Sequence, residues 1–387
     1  MTDVVIAGVG QTPVGEHWNI SLRELALNAI EAAIQDAGGI QPQALFVSNI
    51  LAPTVSDQAH LGTLIADFAG LTNIEAVAIE GAGASGGLAL RQAYLMIAAG
   101  AADAVLVTGV EKLTDQTGSS VEKAIATAVD SDYEAVQGLT PTAQAALLMR
   151  RYMHEFDVAH ERFAAFPLVA HANGASNPNA MFRRAINIEA YNRAGIVSDP
   201  LNMFDVAPGA DGAAALLLTR RELLPDTFPH PLVRISGSSA VTDTLALHDR
   251  HDPLTFHAAR LSAERACRMA GILPGDVDLF ELFDAFSIYA VLSLEAAGFA
   301  ERGQGWKFGE DGNLNLDGSL PISTFGGLKA RGNPGGATGV YQVVEAALQL
   351  RQQAGGNQVP GAMRALVQCL GGPASSAATH VLERMDL

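Results

Sequence analysis

Three glycine-rich segments carry the residue patterns most capable of chemistry. Residues 81–87 read GAGASGG and lead into a helical pattern, and residues 326–339 read GGLKARGNPGGATG and do the same. Residues 369–373 read CLGGP and follow an apolar run. A glycine-rich turn ahead of a helix presents backbone N–H groups and the positive end of the helix dipole. Such a turn favours an anion or an oxyanion developing on a carbonyl, and a cysteine on it would have an acidified thiol. The ordinary alternative is a tight strand-to-helix turn with no chemistry. A nucleotide-phosphate loop is disfavoured, because the first turn lacks the G-x-G-x-x-G spacing and no Lys-Ser/Thr pair follows either turn. His248, His251 and His257 cluster in LHDRHDPLTFH without a recognised ligand spacing, so a solvated loop is expected there rather than a metal site.

The elements that must position these turns alternate between short apolar runs and helical patterns. Residues 4–9 read as a first strand, and residues 22–37 as a helix capped by Ser21. Residues 87–99 form a nearly all-apolar helix, and residues 104–108 (AVLVT) a strand buried on both faces. A faint repeat runs through the chain. Residues 32–46 (AAIQDAGGIQPQALF) and 265–280 (RACRMAGILPGDVDLF) share a helix, an Ala-Gly stop, a Pro-containing turn and a strand. Residues 81–109 and 332–372 likewise share a Gly-rich turn, a helix and a strand. Two copies of one α/β plan predict two pseudo-twofold halves stacked on each other. Residues 1–110 with 204–228 are expected to form the first half and residues 229–387 the second. Residues 111–203, polar and rich in long amphipathic helices such as 140–156, are expected to be an inserted domain. The prolines of residues 225–231 mark the boundary between halves.

Composition narrows the function classes. The 387 residues hold 24 Lys+Arg against 41 Asp+Glu, a net charge of −17, which argues against a nucleic-acid binder. Two cysteines, Cys267 and Cys369, exclude a disulfide framework and a four-cysteine zinc site. Hydrophobic residues are 49% and charged residues 17%, pointing to a large core and a buried oligomer interface. No apolar run reaches a membrane-spanning length, and no basic segment precedes the first apolar stretch. A cytoplasmic globular protein is expected.

The segments VVIAGVGQTPVG, EKLTD, HANGASNPNAMFRRAI, DPLNMFDVAPGADGAAAL, ELFDAFS, GGLKARGNPGGATG and CLGG, in that order, resemble the thiolase superfamily. The resemblance is strongest to its sterol-carrier-protein thiolase and archaeal acetoacetyl-CoA thiolase branch. It implies an α/β fold of two stacked βαβαβαββ halves in five layers (α-β-α-β-α), with an inserted loop domain. It also implies a homodimer or homotetramer, acyl-CoA or CoA as substrate or ligand, Claisen-type carbon–carbon chemistry, and no metal or redox cofactor. Some members of the branch work with a small OB-fold or zinc-ribbon partner.

The resemblance implies a reaction that uses a nucleophilic cysteine, a histidine in a Gly-His-Pro segment, an Asn or His in an N-E-A-F or H-D-A-F segment, and a second cysteine, combining covalent, acid–base and oxyanion catalysis. Position by position, the nucleophile segment E-A-A-C-A-S-G-G is EGAGASGG here, with Gly83 in the cysteine's place. The H-D-A-F segment starts with Phe283, and the Gly-His-Pro segment reads Gly332-Asn333-Pro334. The C-x-G segment is kept as Cys369-Leu370-Gly371. Glycine cannot carry an acyl group, phenylalanine cannot donate a hydrogen bond, and asparagine is no base near neutral pH. Ordinary thiolase turnover is therefore not expected. By the resemblance, the backbone N–H groups of Gly83 and Gly371 still line an oxyanion hole, Asn333 can polarise a second oxygen, and Cys369 is the remaining acid/base candidate. Arg183 and Arg184 are candidates for CoA phosphates. Asp284 is expected to serve structural hydrogen bonding, Cys267 the core, and Tyr289 and Tyr341 packing, although either hydroxyl could donate a proton. Two functions compete: repurposed C–C chemistry on an acyl-CoA, or a catalytically silent CoA-ester or lipid binder, including a structural subunit of a complex.

Overall fold

A computed structural model describes residues 3–225 and 227–385. The first half begins with β1 (Val4–Gln11) and helix α1 (Leu22–Asp36). Ser21 caps α1 reciprocally with Glu24, the side-chain exchange that satisfies orphan donors at a helix start. Strand β2 (Ala44–Ser48), helix α2 (Leu61–Phe68), strand β3 (Glu75–Ile79), helix α3 (Ser85–Ala98) and strand β4 (Ala104–Glu111) follow. Residues between β4 and the closing strand carry α4 (Pro141–Phe156), started by Thr140 and a proline, and α5 (Ala165–Ser176). Strand β5 (Gly212–Arg220) closes the half. The second half repeats the plan with β6 (Val233–Thr242), α6 (His257–Ala270), β7 (Leu279–Glu281), α7 (Ser287–Ala296), α8 (Thr338–Leu350), β8 (Arg364–Gly371) and β9 (Ser376–Arg384).

The strands are ordered β3-β2-β4-β5-β1-β6-β9-β8-β7. The first five come from one half and the last four from the other. Among the described residues two pairs, Val5 with Arg234 and Ile6 with Val233, join β1 to β6, a far shorter ladder than the one between β6 and β9. The second half differs from the expected plan in one respect. Its counterpart of β3 is reduced to a single bridge between Phe280 and Ile322.

Side-chain alternation sets the layers, since successive strand residues face opposite sides. Val105 and Val107 of β4 face a middle layer that also takes Leu90 and Ala93 of α3, Val340 and Val343 of α8, and Val367 and Cys369 of β8. Leu106 and Val110 face the outer layer of α1 and α2. On the far side, Phe280, Leu366 and Leu370 pack under α6 and α7. The five layers implied by the family resemblance are therefore present. The two middle helices touch through glycine: a Cβ on Gly86 would lie 2.6 Å from the Val340 nitrogen, and one on Gly339 2.8 Å from the Gly87 nitrogen. That close approach brings together the two glycine-rich turns that precede α3 and α8. Among the described residues, no helix is long and apolar enough to cross a membrane.

Candidate active site

Four turns converge at the N-terminal ends of α3 and α8. The first is the 3-10 turn Ala82–Ala84, which enters α3. Ser85 fastens it, its hydroxyl donating to the Ala82 carbonyl at 2.6 Å and accepting from the Gly81 N–H at 2.9 Å. The second runs through Asn333, whose N–H donates to Pro208 O at 2.9 Å and whose carbonyl accepts from Ala210 N at 3.2 Å. The third is the end of β8 with Gly371 and Gly372. The fourth links β7 to α7 and holds Phe283 and Asp284.

Glu111, at the end of β4, ties the turn that follows Asn333 to the segment after β2. Its buried carboxylate accepts from Asn49 Nδ2 at 2.7 Å, Ile50 N at 2.9 Å, Leu51 N at 3.1 Å and Gly336 N at 2.9 Å. Burial pushes its pKa up to about 7 against those four donors, which favour the anion. Asp284 behaves as expected: its carboxylate accepts from Leu328 N at 2.7 Å and Ser323 Oγ at 3.2 Å and fixes the turn around Gly327.

An apolar pocket of about 170 Å³ opens at this convergence. Gly83, Phe283, Asn333, Tyr289, Phe286 and Glu122 are among its walls. Gly83 and Phe283 face each other. A Cβ built on Gly83 would lie 2.5 Å from Phe283 Cζ and 2.5 Å from the Leu370 carbonyl oxygen. The benzene ring thus occupies the space that a side chain at position 83 would need. Asn333 Oδ1 accepts from Thr338 Oγ1 at 2.8 Å, which leaves its Nδ2 hydrogens as donors for the pocket. Gly371 is buried beside the first turn, 2.8 Å from Gly81 O at its would-be Cβ, while Gly372 lines the pocket itself.

The expected acid/base role of Cys369 is corrected by its placement. Its side chain points from β8 into the middle helix layer, is fully buried, and donates to Gln342 Oε1 at 3.4 Å. It is not on the pocket wall, and burial pushes its thiol up to about 12. Cys267 is a core residue of α6, as expected. Tyr341 also packs as expected, its hydroxyl donating to Thr12 O at 2.9 Å. Among the described residues no His/Cys/Asp/Glu cluster could hold a metal ion.

A second, wider groove of about 640 Å³ shares Val206 and Ala207 with the inner pocket. Arg183 and Arg184 line it, both exposed, together with Phe182, Met203 and His171. Lys329 forms part of its lining. The amine donates to Asp205 O at 2.7 Å, and burial pulls its pKa down to about 8 despite nearby Asp284 and Asp205. The arginines and the inner turns are thus placed along two adjoining cavities. The sequence reading missed Glu111, Glu122 and Lys329. Glu111 and Lys329 lie inside quoted segments, EKLTD and GGLKARGNPGGATG, and their charge within apolar surroundings was the available signal.

Comparison with known proteins agrees with this architecture. The thiolase N-terminal domain family matches residues 4–222, and the family described as thiolase C-terminal domain-like matches residues 239–384. An acetyl-CoA acetyltransferase of Methanothermobacter thermautotrophicus is 41% identical over 386 residues, covering 99% of this chain and all of that protein. A steroid side-chain-cleaving aldolase of Thermomonospora curvata is 27% identical, covering 88% of each. Among solved structures, one described as an Ltp2-ChsH2(DUF35) aldolase superposes with a TM-score of 0.83 at 25% identity, covering 100% of this chain and 99% of that one. With both halves matched and a near-full-length relative at that identity, the chain belongs to the thiolase superfamily.

Proposed function

We propose that this protein binds acyl-CoA thioesters without forming an acyl-cysteine, and that any bond it makes or breaks is a carbon–carbon bond of the held acyl group. The observation that carries this reading is the Phe283 ring in the space beside Gly83, with Cys369 sealed in the core. Neither cysteine of the chain reaches the pocket. The acyl group enters the apolar inner pocket. Its thioester carbonyl takes hydrogen bonds from Asn333 Nδ2 and from the backbone N–H groups of Gly83 and Gly371, donors that do not depend on a reactive side chain. The rest of CoA follows the wider groove of the inserted segment 111–203, where Arg183 and Arg184 meet phosphate. No metal or redox cofactor enters this scheme.

The acetyltransferase and aldolase among the relatives support C–C chemistry on CoA esters as the class. A second reading is a catalytically silent binder, the large subunit of a complex with a small OB-fold protein; the solved aldolase described with a DUF35 partner favours that association. The exposed edge strand β3, with Val77 41% exposed, supports assembly as a homodimer or homotetramer.

Calorimetry with CoA, acetyl-CoA and acetoacetyl-CoA tests the binding. Sub-millimolar affinity, no acylated protein by mass spectrometry and no loss of acetoacetyl-CoA enolate absorbance with added CoA is the expected result. Thiolysis at ordinary thiolase rates, or no binding up to millimolar ligand, would overturn it. R183E/R184E should weaken binding of CoA esters and flatten its salt dependence.

A further inference from the structure

Four tyrosines are no more than 1% exposed: Tyr152, Tyr191, Tyr289 and Tyr341. Three of them follow the rule that a buried phenol finds a partner. Tyr152 donates to Glu295 Oε1 at 2.6 Å, Tyr191 to Asp205 Oδ1 at 2.9 Å and Tyr341 to Thr12 O at 2.9 Å. Tyr289 is the exception. Its hydroxyl is buried and has no hydrogen-bond partner among the described residues. It is also the one of the four that lines the inner pocket.

The surroundings hold that phenol in place without satisfying it. Phe286 and Phe256 pack edge-on against its ring, with centroids 4.9 Å and 5.4 Å away. Arg250 lies close enough for its guanidinium to favour the phenolate, while burial and Glu134 act against it and hold the hydroxyl protonated. Arg250 itself is anchored by Nε to Thr244 O at 2.9 Å and by Nη1 to Pro373 O, next to the pocket residue Gly372. Its Nη2 is a second buried donor without a partner. Of these two unpaired donors Tyr289 stands on the pocket wall, with the Arg250 charge behind it, so the phenol is the group offered to an acceptor oxygen of a ligand. Leaving a buried polar group unpaired is unfavourable, so a ligand that supplies the missing acceptor is favoured over one that does not.

We propose that Tyr289 is a specificity-determining residue of the inner pocket, donating to an oxygen on the acyl chain beyond the thioester carbonyl and so selecting oxygenated over plain acyl thioesters. This rests on the acyl-CoA reading above, in which Gly83, Gly371 and Asn333 take the thioester oxygen. Tyr289 stands on a different element, α7, and is left for a second oxygen.

The test compares acetoacetyl-CoA with butyryl-CoA, which has the same chain length and lacks the second oxygen, by calorimetry on the wild type and Tyr289→Phe. The wild type should bind acetoacetyl-CoA about tenfold more tightly, and Tyr289→Phe should narrow the preference to about twofold. Because the hydroxyl has no partner in the protein, Tyr289→Phe should unfold at the same temperature as the wild type or higher. Equal affinities in the wild type, with both ligands binding, would overturn this proposal and leave the acyl-CoA reading standing. So would a variant that loses stability but keeps its preference, since that marks a structural hydroxyl. Failure of both thioesters to bind the wild type would remove the acyl-CoA reading itself, and this proposal with it.

Discussion

The fit of Gly83 against Phe283 gives a quantitative test of why glycine stands at this turn. Gly83→Ala adds one methyl group, 2.5 Å from Phe283 Cζ, 2.9 Å from its Cε2 and 2.5 Å from Leu370 O. All three are well inside van der Waals contact. Overpacking of this kind costs about 2–3 kcal/mol. Gly83 does not have a positive φ, so alanine also gains about 0.4–1 kcal/mol by restricting the unfolded chain. The net expectation is a loss of about 1–2 kcal/mol, read from urea unfolding at fixed pH. The two neighbours differ in how they yield. The ring can be removed, whereas the Leu370 carbonyl belongs to β8, whose register with β9 pairs Leu370 with Ala377. In a cycle with Phe283→Ala, the double variant should therefore recover about 1 kcal/mol relative to the sum of the single changes, and no more. Gly83→Cys places the same Cβ, so it should be destabilised likewise and remain unacylated by acetyl-CoA while Phe283 is present. A Gly83→Ala variant as stable as the wild type, or a cycle with no coupling, would refute the argument that the ring fills this space.

Two further predictions concern buried charge. His380 is fully buried, its Nε2 bonded to Gly87 O at 3.0 Å, and burial pushes its pKa down to about 4 from an ordinary 6.5. Between those values the unfolded chain takes up a proton that the folded chain refuses. Its contribution to stability is complete above pH 6.5 and is lost as pH falls toward 4, by up to about 3 kcal/mol. Unfolding free energies of the wild type and His380→Gln across that range should diverge in slope, and parallel curves would contradict the assignment. Glu111→Gln turns one carboxylate oxygen, which accepts two N–H donors, into a donor facing them. It should cost about 2 kcal/mol or more and weaken acyl-CoA binding by loosening the turn at Gly336; unchanged stability and affinity would show that Glu111 does not hold these turns.

What the sequence determined by itself was local and periodic. The Ser21 cap, the all-buried run of β4, the Thr140 start of α4 and the two copies of the helix-turn-strand unit all follow from spacing over a few residues. Backbone hydrogen bonding obeys the same spacing in the fold. The order of the glycine-rich turns, and the residues standing at positions 83, 283, 333 and 369, were likewise legible. Tertiary packing decided what those residues do. Gly83 and Phe283 are two hundred positions apart, and only the stacking of the two halves puts the ring in the glycine's space. Cys369 looked available because its motif is intact, yet the pleat of β8 turns it into the middle layer against Gln342. Tyr289 and Tyr341 were alike as helix residues after active turns. Thr12, brought in on the first-half side, satisfies one hydroxyl, while none of the described residues pairs with the other. Sequence spacing fixes which face of an element a side chain takes, but whether that face meets a partner, a void or a neighbour's ring depends on elements hundreds of residues away, and there the chemistry of this site was set.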